Sequence, residues 1–403
     1  MTKSATSHLL PVFARVDLGF ERGEGAWLIA TNGERYLDFT SGVAVNALGH
    51  AHPHLVAALQ DQATRLWHMS NLFKSPDGER LAARLCEQSF ADFAFFANSG
   101  AEAMECAIKI TRKYHAAKGH PERYRIVTFE GAFHGRTLAT LAATGAAKYL
   151  EGFGPPMDGF DQVALGDIDA VKKAIGPHTA GIVIEPLQGE GGVRAPPHGF
   201  FRALRELCDA KDLLLVFDEV QTGMGRTGEL FAYKRIGVAP DVMSLAKALG
   251  GGFPIGACLA TAQAAAGMTP GSHGSTFGGN PLAVAAANAV LDVMLKPGFF
   301  EHAQRMSLLL KQKLASVIDR HPDIVSEVRG EGLLIGLKAV VPSGDLVNAL
   351  RAERLLTVGA GENVVRFLPP LIVSETEIEE AVQRLERACV TLSAREQKRE
   401  AAL

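Results

Sequence analysis

The sequence is short of cysteine, has no strong excess of either charge and contains no long apolar run, and each shortage excludes a class of protein. Its five cysteines are widely spaced without a C-x-x-C pair, which predicts reduced thiols in a cytoplasmic protein and no disulfide scaffold. The net charge of -3, from 41 basic and 44 acidic residues, predicts no nucleic-acid partner. No apolar run approaches the ~20 residues that span a bilayer, so no membrane partner is predicted. The polar start Met1–His8 predicts no secretory signal.

The length and composition of the chain are those of a globular protein with more than one domain. It has 403 residues, of which 47% are apolar and 21% charged, close to average usage. A chain of this length exceeds a single compact core. The pattern of predicted elements changes near residues 51 and 291. We therefore predict a large domain at 51–291 and a smaller, discontinuous α+β domain formed by 1–50 and 292–403.

Short apolar runs alternate with helical patterns through the middle of the chain. Before them, Asn32-Gly33 separates two strand-like runs and predicts a β-hairpin. The continuous apolar run Leu213–Phe217 is typical of a parallel strand that is buried on both faces. The alternation predicts an α/β fold with a mainly parallel sheet. The other predicted segments are strands at 93–96, 125–129, 180–184, 242–245, 324–328, 333–337 and 364–367, and helices after Gly100, at 199–211 and at 299–320.

Polar clusters follow several of these strands, at the sheet edge where open α/β sheets bind ligands. Asn98–Glu102 joins a strand to a helix, and the glycine within it lets backbone N–H groups approach an anion at the helix N-terminus. An ordinary helix cap at Ser99 is the alternative. Asp218 follows the buried strand and could pair with a protonated ring nitrogen of a cofactor, although a loop aspartate is an equal alternative.

A lysine and a glycine-rich loop complete the set of candidate groups. Lys247 is framed by apolar residues, which would remove water from its amine, lower its pKa and favour Schiff-base chemistry. Solvent exposure is the usual state of a lysine and remains the alternative. Gly274–Asn280 supplies two hydroxyls in a loop suited to phosphate oxygens. Each of these signals is weak alone, and their order along one α/β chain is what gives them weight.

In these stretches the chain resembles the class III aminotransferases, and most closely the acetylornithine aminotransferases, over nearly its whole length. The resemblance implies pyridoxal phosphate as cofactor and the aspartate-aminotransferase fold, known as fold type I. It predicts a large domain with a mainly parallel sheet and a smaller α+β domain. The matching stretches are Ser41–His50, Asn98–Ala103, Phe133–Arg136, Glu185–Gly192, Asp218–Gly223, Ser244–Lys247, Gly274–Asn280 and Arg366–Pro370.

The resemblance also assigns the cofactor contacts. It implies that Lys247 attaches the cofactor, that Asp218 pairs with the pyridine nitrogen, and that Phe133 stacks on the ring. Thr276 would reach the phosphate from a second subunit, which implies a homodimer with a shared active site. Ala101 stands where relatives often have threonine, so one possible phosphate hydroxyl is missing. The expected cofactor contacts are Ser99, Gly100, Ala101, Phe133, Asp218, Glu219, Val220, Gln221, Lys247 and Thr276.

For the substrates, the resemblance implies two carboxylate sites and an amino donor that reacts in turn with 2-oxoglutarate. Arg136, assisted by Ser275, would hold a carboxylate in a bidentate clamp. Arg366 would bind the α-carboxylate of glutamate or 2-oxoglutarate, and Glu190 would pair with Arg366 when the other donor is bound. The predicted reaction converts N-acetyl-L-ornithine and 2-oxoglutarate to N-acetyl-L-glutamate 5-semialdehyde and L-glutamate, a step of arginine biosynthesis.

Several alternatives stay open from the sequence. Succinylornithine, N-succinyl-diaminopimelate, ornithine and 4-aminobutyrate would also fit a carboxylate clamp. Ornithine aminotransferases have tyrosines where this chain has Phe13 and Gly42, which argues against free ornithine. A related aminomutase or decarboxylase would keep the cofactor and change the reaction. From a different class, Gly223–Gly228 matches G-x-G-x-x-G and would indicate a dinucleotide oxidoreductase, although it begins five residues past Asp218. The alternating His50, His52 and His54 predict a loop and a helix start, with no metal.

Overall fold

Three β-sheets organise the computed structural model, which describes residues 8–400. One sheet has seven strands and comes from the middle of the chain, whereas the other two have four strands each and come from its two ends. The strands are β1 Phe20–Glu24, β2 Trp27–Ala30, β3 Arg35–Asp38, β4 Phe93–Ala97, β5 Arg125–Phe129, β6 Phe160–Val163, β7 Thr179–Ile184, β8 Leu214–Asp218, β9 Val242–Leu245, β10 Gly256–Ala260, β11 Val325–Glu331, β12 Leu334–Ala339, β13 Leu355–Leu356, β14 Val358–Ala360 and β15 Val364–Phe367.

Helices connect these strands and cover both faces of the central sheet. The most apolar of them, Pro281–Met294, is almost wholly buried and joins the central part of the chain to the long helix that follows it. The helices are α1 Ser41–Ala44, α2 Pro53–Ala63, α3 Pro76–Glu87, α4 Gly100–Ala117, α5 Leu138–Thr144, α6 Ala147–Leu150, α7 Ile168–Ala174, α8 Phe200–Lys211, α9 Ala232–Ile236, α10 Ala262–Ala265, α11 Pro281–Met294, α12 Phe299–Arg320, α13 Ser343–Ala352 and α14 Glu375–Glu400.

The seven-stranded sheet is mainly parallel, as predicted, in the order β4-β10-β9-β8-β7-β5-β6. The pairs β8·β9, β7·β8, β5·β7 and β5·β6 are parallel, and β10 is antiparallel to both of its neighbours. Every residue of β7 and β8 is buried, because helices pack on both faces of the sheet. This burial explains why β8 reads as a continuous apolar run.

The parallel register brings the carboxyl ends of β8 and β9 together. Asp218 is the last residue of β8 and lies opposite Ser244 of β9. The strand therefore includes Asp218, one residue beyond the predicted end at Phe217, and its carboxylate points from the sheet edge. Lys247 follows β9 in a short 3-10 turn, Lys247–Leu249. The fold thus places these two residues, distant in sequence, at one edge of the sheet.

The two ends of the chain pack together through a shared sheet. The predicted hairpin is present, with β2 antiparallel to β3 and Trp27 opposite Leu37. The short strand β13, near residue 355, then extends this sheet by pairing in parallel with β3. The third sheet has the order β11-β12-β15-β14 and carries Arg366 on β15.

The segment Gly223–Gly228 has a structural role that differs from dinucleotide binding. It forms turns after β8 and opens no helix. The side chain of Arg226 is fully buried, and its Nη1 donates to the carbonyls of Leu333 at 3.1 Å and Pro369 at 2.6 Å. The N–H of Leu333 donates back to the carbonyl of Arg226 at 2.9 Å. Burial lowers the pKa of the guanidinium to about 9. The motif therefore fastens the central sheet to the C-terminal sheet.

The alternating histidines near residue 50 bind different carboxylates. The Nε2 atom of His50 lies 2.8 Å from Asp38, and that of His54 lies 3.1 Å from Asp292. Among residues 8–400, no group of three or more His, Cys, Asp or Glu side chains is arranged to hold a metal ion.

In the same part of the chain, no single helix is long and apolar enough to cross a membrane. Only when α11 and α12 are taken together, as one bent pair, do their length and composition match those of a membrane span.

Candidate active site

A cavity of about 420 Å³ opens at the sheet edge where β8 and β9 end. Its lining includes residues from every polar cluster that the sequence predicts after the strands of the central sheet, except the loop Gly274–Asn280. Its walls come from the N-terminus of α4, the loop after β5, the end of β7, the end of β8 and the turn after β9. The lining residues are Val45, Asn98, Ser99, Gly100, Ala101, Phe133, His134, Gly135, Arg136, Glu185, Asp218, Val220, Gln221, Ala246, Lys247, Gly252, Phe253, Pro254 and Ile255.

One end of the cavity is an anion site formed by the N-terminus of α4. Ser99 is the N-cap, and its Oγ accepts the N–H of Glu102 at 3.2 Å. The N–H groups of Gly100 and Ala101 have no acceptor within the described part of the chain, and the helix dipole favours a negative charge there. Glycine is required at position 100 because a Cβ atom would lie 2.6 Å from Cγ1 of Val220.

Asp218 is buried beneath the cavity and is held by two hydrogen bonds. His134 Nδ1 lies 2.7 Å from its Oδ2, and the N–H of Val220 donates to its Oδ1 at 3.0 Å. Both side chains of the Asp218–His134 pair are almost completely buried. The sequence reading missed His134, although it stands next to Phe133 in the matching stretch Phe133–Arg136. A carboxylate fixed in this way is suited to face a cationic group in the cavity.

Lys247 is half-buried at the cavity, and the pKa of its ammonium is lowered. Burial is the main cause that lowers the pKa of its ammonium, and the negative charges of Glu190 and Asp218 act in the opposite direction. Its φ of 45° lies in the left-handed region, which is uncommon for a residue other than glycine. Such strain is found at functional sites where the surrounding structure holds the backbone. A neutral amine in this position can act as a nucleophile or as a base.

A second buried carboxyl group, Glu185, lies near Asp218 and was not predicted. Burial, with the negative charge of Asp218, raises the pKa of Glu185 well above its ordinary value. The environment of Glu185 therefore favours its protonated form. Its Oε2 accepts the backbone N–H of Phe133 at 3.1 Å. Glu185 thus positions the loop that carries Phe133, and its only sequence signal was its place at the start of the matching stretch Glu185–Gly192.

The predicted ion pair of Arg366 with Glu190 forms beside the cavity. Nη1 of Arg366 lies 2.5 Å from Oε1 of Glu190 and 3.4 Å from Oε1 of Gln221. Its Nη2 donates to the carbonyl of Gly359 at 3.0 Å. Arg366 is only 1% exposed and Glu190 is 29% exposed, so the carboxylate is the partner that can move. A substrate carboxylate could replace it without unburying the arginine.

Five of the predicted site residues lie outside the lining of this cavity: Glu190 and Arg366, which lie beside it, and Glu219, Ser275 and Thr276. The carboxylate of Glu219 turns away from it and accepts the N–H groups of Ala232 at 2.6 Å and Tyr233 at 2.8 Å. Burial raises the pKa of Glu219 to about 7. The hydroxyl of Ser275 accepts the N–H of Gly278 at 3.0 Å, and Thr276 is exposed. Glu219 therefore braces α9 through its side chain, and Thr276 faces the surface of its own subunit.

Comparison with known proteins identifies the class. The family model for aminotransferase class III matches residues 13–389, so the chain belongs to the class III aminotransferases. Members of this family are pyridoxal-phosphate enzymes that move an amino group from an amino donor to a 2-oxo acid, as the sequence predicted. The fold prediction is likewise confirmed, because aminotransferase structures superimpose on nearly the whole chain.

Individual relatives are similar over their full lengths. Acetylornithine aminotransferase 1 of Bradyrhizobium diazoefficiens is 81% identical over 100% of this chain and 99% of its own length. The acetylornithine aminotransferase of Agrobacterium fabrum is 62% identical over 98% of this chain and 99% of its own length. Among solved structures, N-acetylornithine aminotransferase of Stenotrophomonas maltophilia has a TM-score of 0.84 and 38% identity, over 94% of this chain and 98% of that one. Ornithine aminotransferase of Toxoplasma gondii has a TM-score of 0.92 and 32% identity, over 96% and 94%.

The residues of the cavity fit pyridoxal phosphate. The unpaired N–H groups of Gly100 and Ala101 would suit its phosphate, and the buried carboxylate of Asp218 would suit a cationic ring nitrogen. Lys247 supplies an amine in the same cavity. Phe133 offers an aromatic ring to the same space.

Proposed function

We propose that this aminotransferase converts N-acetyl-L-ornithine and 2-oxoglutarate to N-acetyl-L-glutamate 5-semialdehyde and L-glutamate. The observation that carries the proposal is the presence of two arginines that differ in their partners. Arg136 lies at the cavity without an ion pair in the described residues, whereas Arg366 is neutralised by Glu190. The carboxylate site at Arg136 would be open to every substrate. The site at Arg366 would open only when a substrate carboxylate displaces Glu190. The names of the relatives, acetylornithine aminotransferases at 81% and 62% identity, support this donor.

The chain would hold its cofactor through residues from separate elements. Lys247 would attach it, Asp218 would pair with its ring nitrogen, and Gly100 and Ala101 would bind its phosphate. Phe133 would cover the ring, with Val220 and Gln221 beside it. When bound, pyridoxal phosphate supplies an electron sink for the carbon that bears the amino group. The carboxylate of Asp218 would favour the cationic form of the ring because it would place a fixed negative charge beside the ring nitrogen.

Lys247 is proposed as the group that moves the proton. Burial lowers the pKa of its Nζ, which would help the amine to accept the proton from the substrate carbon that bears the amino group and then to return it. A base whose pKa lies near the working pH is the most effective.

The two arginines are proposed to sort the two amino donors. Arg136, assisted by Ser275, would bind the α-carboxylate of N-acetylornithine and the side-chain carboxylate of glutamate. Glu190 would stay on Arg366 while the acylated donor is bound. Glutamate or 2-oxoglutarate would displace Glu190 with its α-carboxylate. The exchange leaves no buried charge unpaired in either state, which is the condition for a low cost.

The Glu190→Ala variant tests this exchange. We expect glutamate to improve relative to N-acetylornithine by roughly tenfold in kcat/KM, because Arg366 is then free of its competitor, and each tenfold corresponds to about 1.4 kcal/mol. The measurement compares the two donors in single half-reactions. Glu362→Ala is a suitable control, since Glu362 pairs with Arg194 and Arg329 away from the cavity. An unchanged donor preference would exclude the exchange.

The donor itself is tested by mixing holoenzyme with single amines and following the absorbance of the bound cofactor. The panel contains N-acetylornithine, ornithine, succinylornithine, N-succinyl-diaminopimelate, 4-aminobutyrate and glutamate. We expect fast reaction with N-acetylornithine and glutamate and much slower reaction with ornithine, because Phe13 and Gly42 provide no phenolic hydroxyl for a second amine. Formation of glutamate on adding 2-oxoglutarate separates transamination from a mutase or decarboxylase. A preference for another donor would reassign the substrate and keep the reaction class.

We also propose a homodimer with shared active sites. Thr276 is exposed and turned from the cavity of its own subunit, which suits contact with the phosphate of a second copy. Large apolar side chains surround this region without cover: Leu72 is 90% exposed, Phe73 69% and Phe277 59%. A patch of this kind is typical of a protein interface.

The five free cysteines support a cytoplasmic site of action.

The predicted division into two domains remains a proposal. The seven-stranded sheet uses strands between Phe93 and Ala260, which lie within the proposed large domain at 51–291. The sheet that joins β3 to β13 combines both ends of the chain, which supports a discontinuous smaller domain from 1–50 and 292–403. Residues 1–7 and 401–403 of that assignment lie outside the described residues. The segment Gly223–Gly228 would then connect the two domains through Arg226.

A further inference from the structure

Arg136 is the least constrained of the charged side chains at the cavity. It is exposed, and no hydrogen bond or ion pair joins its guanidinium to any residue between 8 and 400. A free arginine side chain has many rotamers, and a ligand that binds it must restrict them. A bidentate clamp needs one fixed plane of the guanidinium. Some feature of the protein must therefore select that plane.

Two aromatic rings provide the contacts that Arg136 has. Its Cζ atom lies 3.9 Å from the ring centroid of Tyr149 and 5.4 Å from that of Phe133. The two rings are 6.2 Å apart and nearly perpendicular, with an interplanar angle of 86°. The nearer contact is with Tyr149. A guanidinium that lies on a ring face keeps its N–H edges free, and those edges are what a carboxylate binds.

Tyr149 is itself held in place. It belongs to α6, which follows the left-handed end of α5 at Gly145, where φ is 62°. The amide Nε2 of Gln162, on the edge strand β6, donates to the carbonyl of Thr144 at 2.6 Å. The same amide would overlap any Cβ atom at position 145, since it would lie 1.8 Å away. The turn that carries Tyr149 is therefore tied to the central sheet.

We propose that Tyr149 is a positioning residue that orients Arg136 for binding substrate carboxylates. The inference rests on the proposed function, in which Arg136 is the clamp used by both substrates. Tyr149 acts through the face of its ring, so its hydroxyl is not required. It contributes to binding of the carboxylate and has no part in the proton transfer at Lys247.

The Tyr149→Leu variant of the holoenzyme should show this as a change in KM alone. We expect KM for N-acetylornithine and for 2-oxoglutarate to rise by about three- to thirtyfold, the range of a cation–π contact that becomes desolvated, with kcat within about twofold. Tyr149→Phe keeps the ring face and should restore both KM values. The absorbance of the bound cofactor should be the same in all of these variants. A loss of kcat or of cofactor absorbance in Tyr149→Leu, with KM unchanged, would overturn the proposal.

A double-variant cycle with Arg136→Leu separates a role through Arg136 from general damage. If Tyr149 acts through Arg136, the double variant should have the same KM values as Arg136→Leu alone. Additive effects would overturn the proposal. Tyr124→Leu is the matched control, because Tyr124 also lies under an arginine, Arg112 at 5.8 Å, outside the cavity lining. Arg136→Leu with unchanged KM values would instead refute the proposed clamp, whereas a raised KM in Arg136→Leu with no effect of Tyr149→Leu would refute only the present inference.

Discussion

The Lys247→Ala variant is expected to lose at least about ten-thousandfold in kcat, the largest effect of any single change in this protein. General acid–base catalysis by one positioned group accounts for about 10²- to 10⁴-fold in rate, and Lys247 would also supply the covalent anchor of the cofactor. The described residues that line the cavity include no second lysine, so no neighbouring side chain can replace Lys247 as both anchor and base. The measurement is kcat for the overall reaction, together with the absorbance spectrum of the variant after incubation with pyridoxal phosphate.

Two further measurements make this expectation specific. Lys173→Ala, an exposed lysine on α7, should leave both kcat and the spectrum unchanged. A small free amine added to Lys247→Ala should restore part of the activity, because it can supply a base in the space that the side chain leaves. If Lys247→Ala kept kcat within about tenfold of the parent, the proposed proton transfer would have to be assigned to another residue.

Asp218→Asn should be the second most damaging substitution, with kcat lower by about 10²- to 10³-fold. Losing one fixed group that stabilises charge in a water-excluded site typically costs this much. The amide occupies the same volume and can still accept from the N–H of Val220, so the cavity should keep its shape. What it loses is the negative charge opposite the ring nitrogen and the strong hydrogen bond with His134, which is 2.7 Å long.

The experiment compares kcat of Asp218→Asn with that of Asp61→Asn at saturating cofactor. Asp61 is 68% exposed and pairs with Arg65, which lies just past the end of α2, so its loss should change kcat by less than about twofold. The spectrum of bound cofactor should also shift in Asp218→Asn, since the ring nitrogen would lose its counter-charge. Full activity in this variant would mean that the ring is not kept cationic by Asp218.

Local patterns in the sequence were sufficient for most secondary-structure elements. The strands at 125–129, 242–245 and 364–367 and the helix at 299–320 have the predicted bounds. The apolar residues of each segment follow the pattern of a strand or of a helix, and this pattern can be recognised from the local sequence alone. The predicted strand ended at Phe217, one residue before the observed end of β8 at Asp218. The prediction stopped early because Asp218 is polar although it belongs to the strand. Its side chain leaves the sheet edge toward the cavity.

Contacts between residues that are far apart in the chain could not be predicted from local sequence patterns. Asp218 and His134 are 84 positions apart, and Glu190 and Arg366 are 176 apart. The pairing of Glu190 with Arg366 was expected only from the family resemblance, and His134 was missed. A contact of this kind leaves no period or composition signal in either segment. Likewise, Gly223–Gly228 matched a dinucleotide motif by letters, and only the packing of Arg226 against Leu333 and Pro369 explains it.

The sequence by itself indicated an α/β fold through its local strand pattern. The cofactor and the roles of Lys247 and Asp218 followed from the resemblance of its motifs to those of the class III aminotransferases. The tertiary structure alone decided which groups share a surface and which do not. It turned the carboxylate of Glu219 away from the cavity, buried Glu185 so that the pKa of its carboxyl is raised, and placed the guanidinium of Arg136 on the ring of Tyr149. Burial, orientation and charge pairing depend on the packing of segments that are far apart in the chain, and no single segment contains that information.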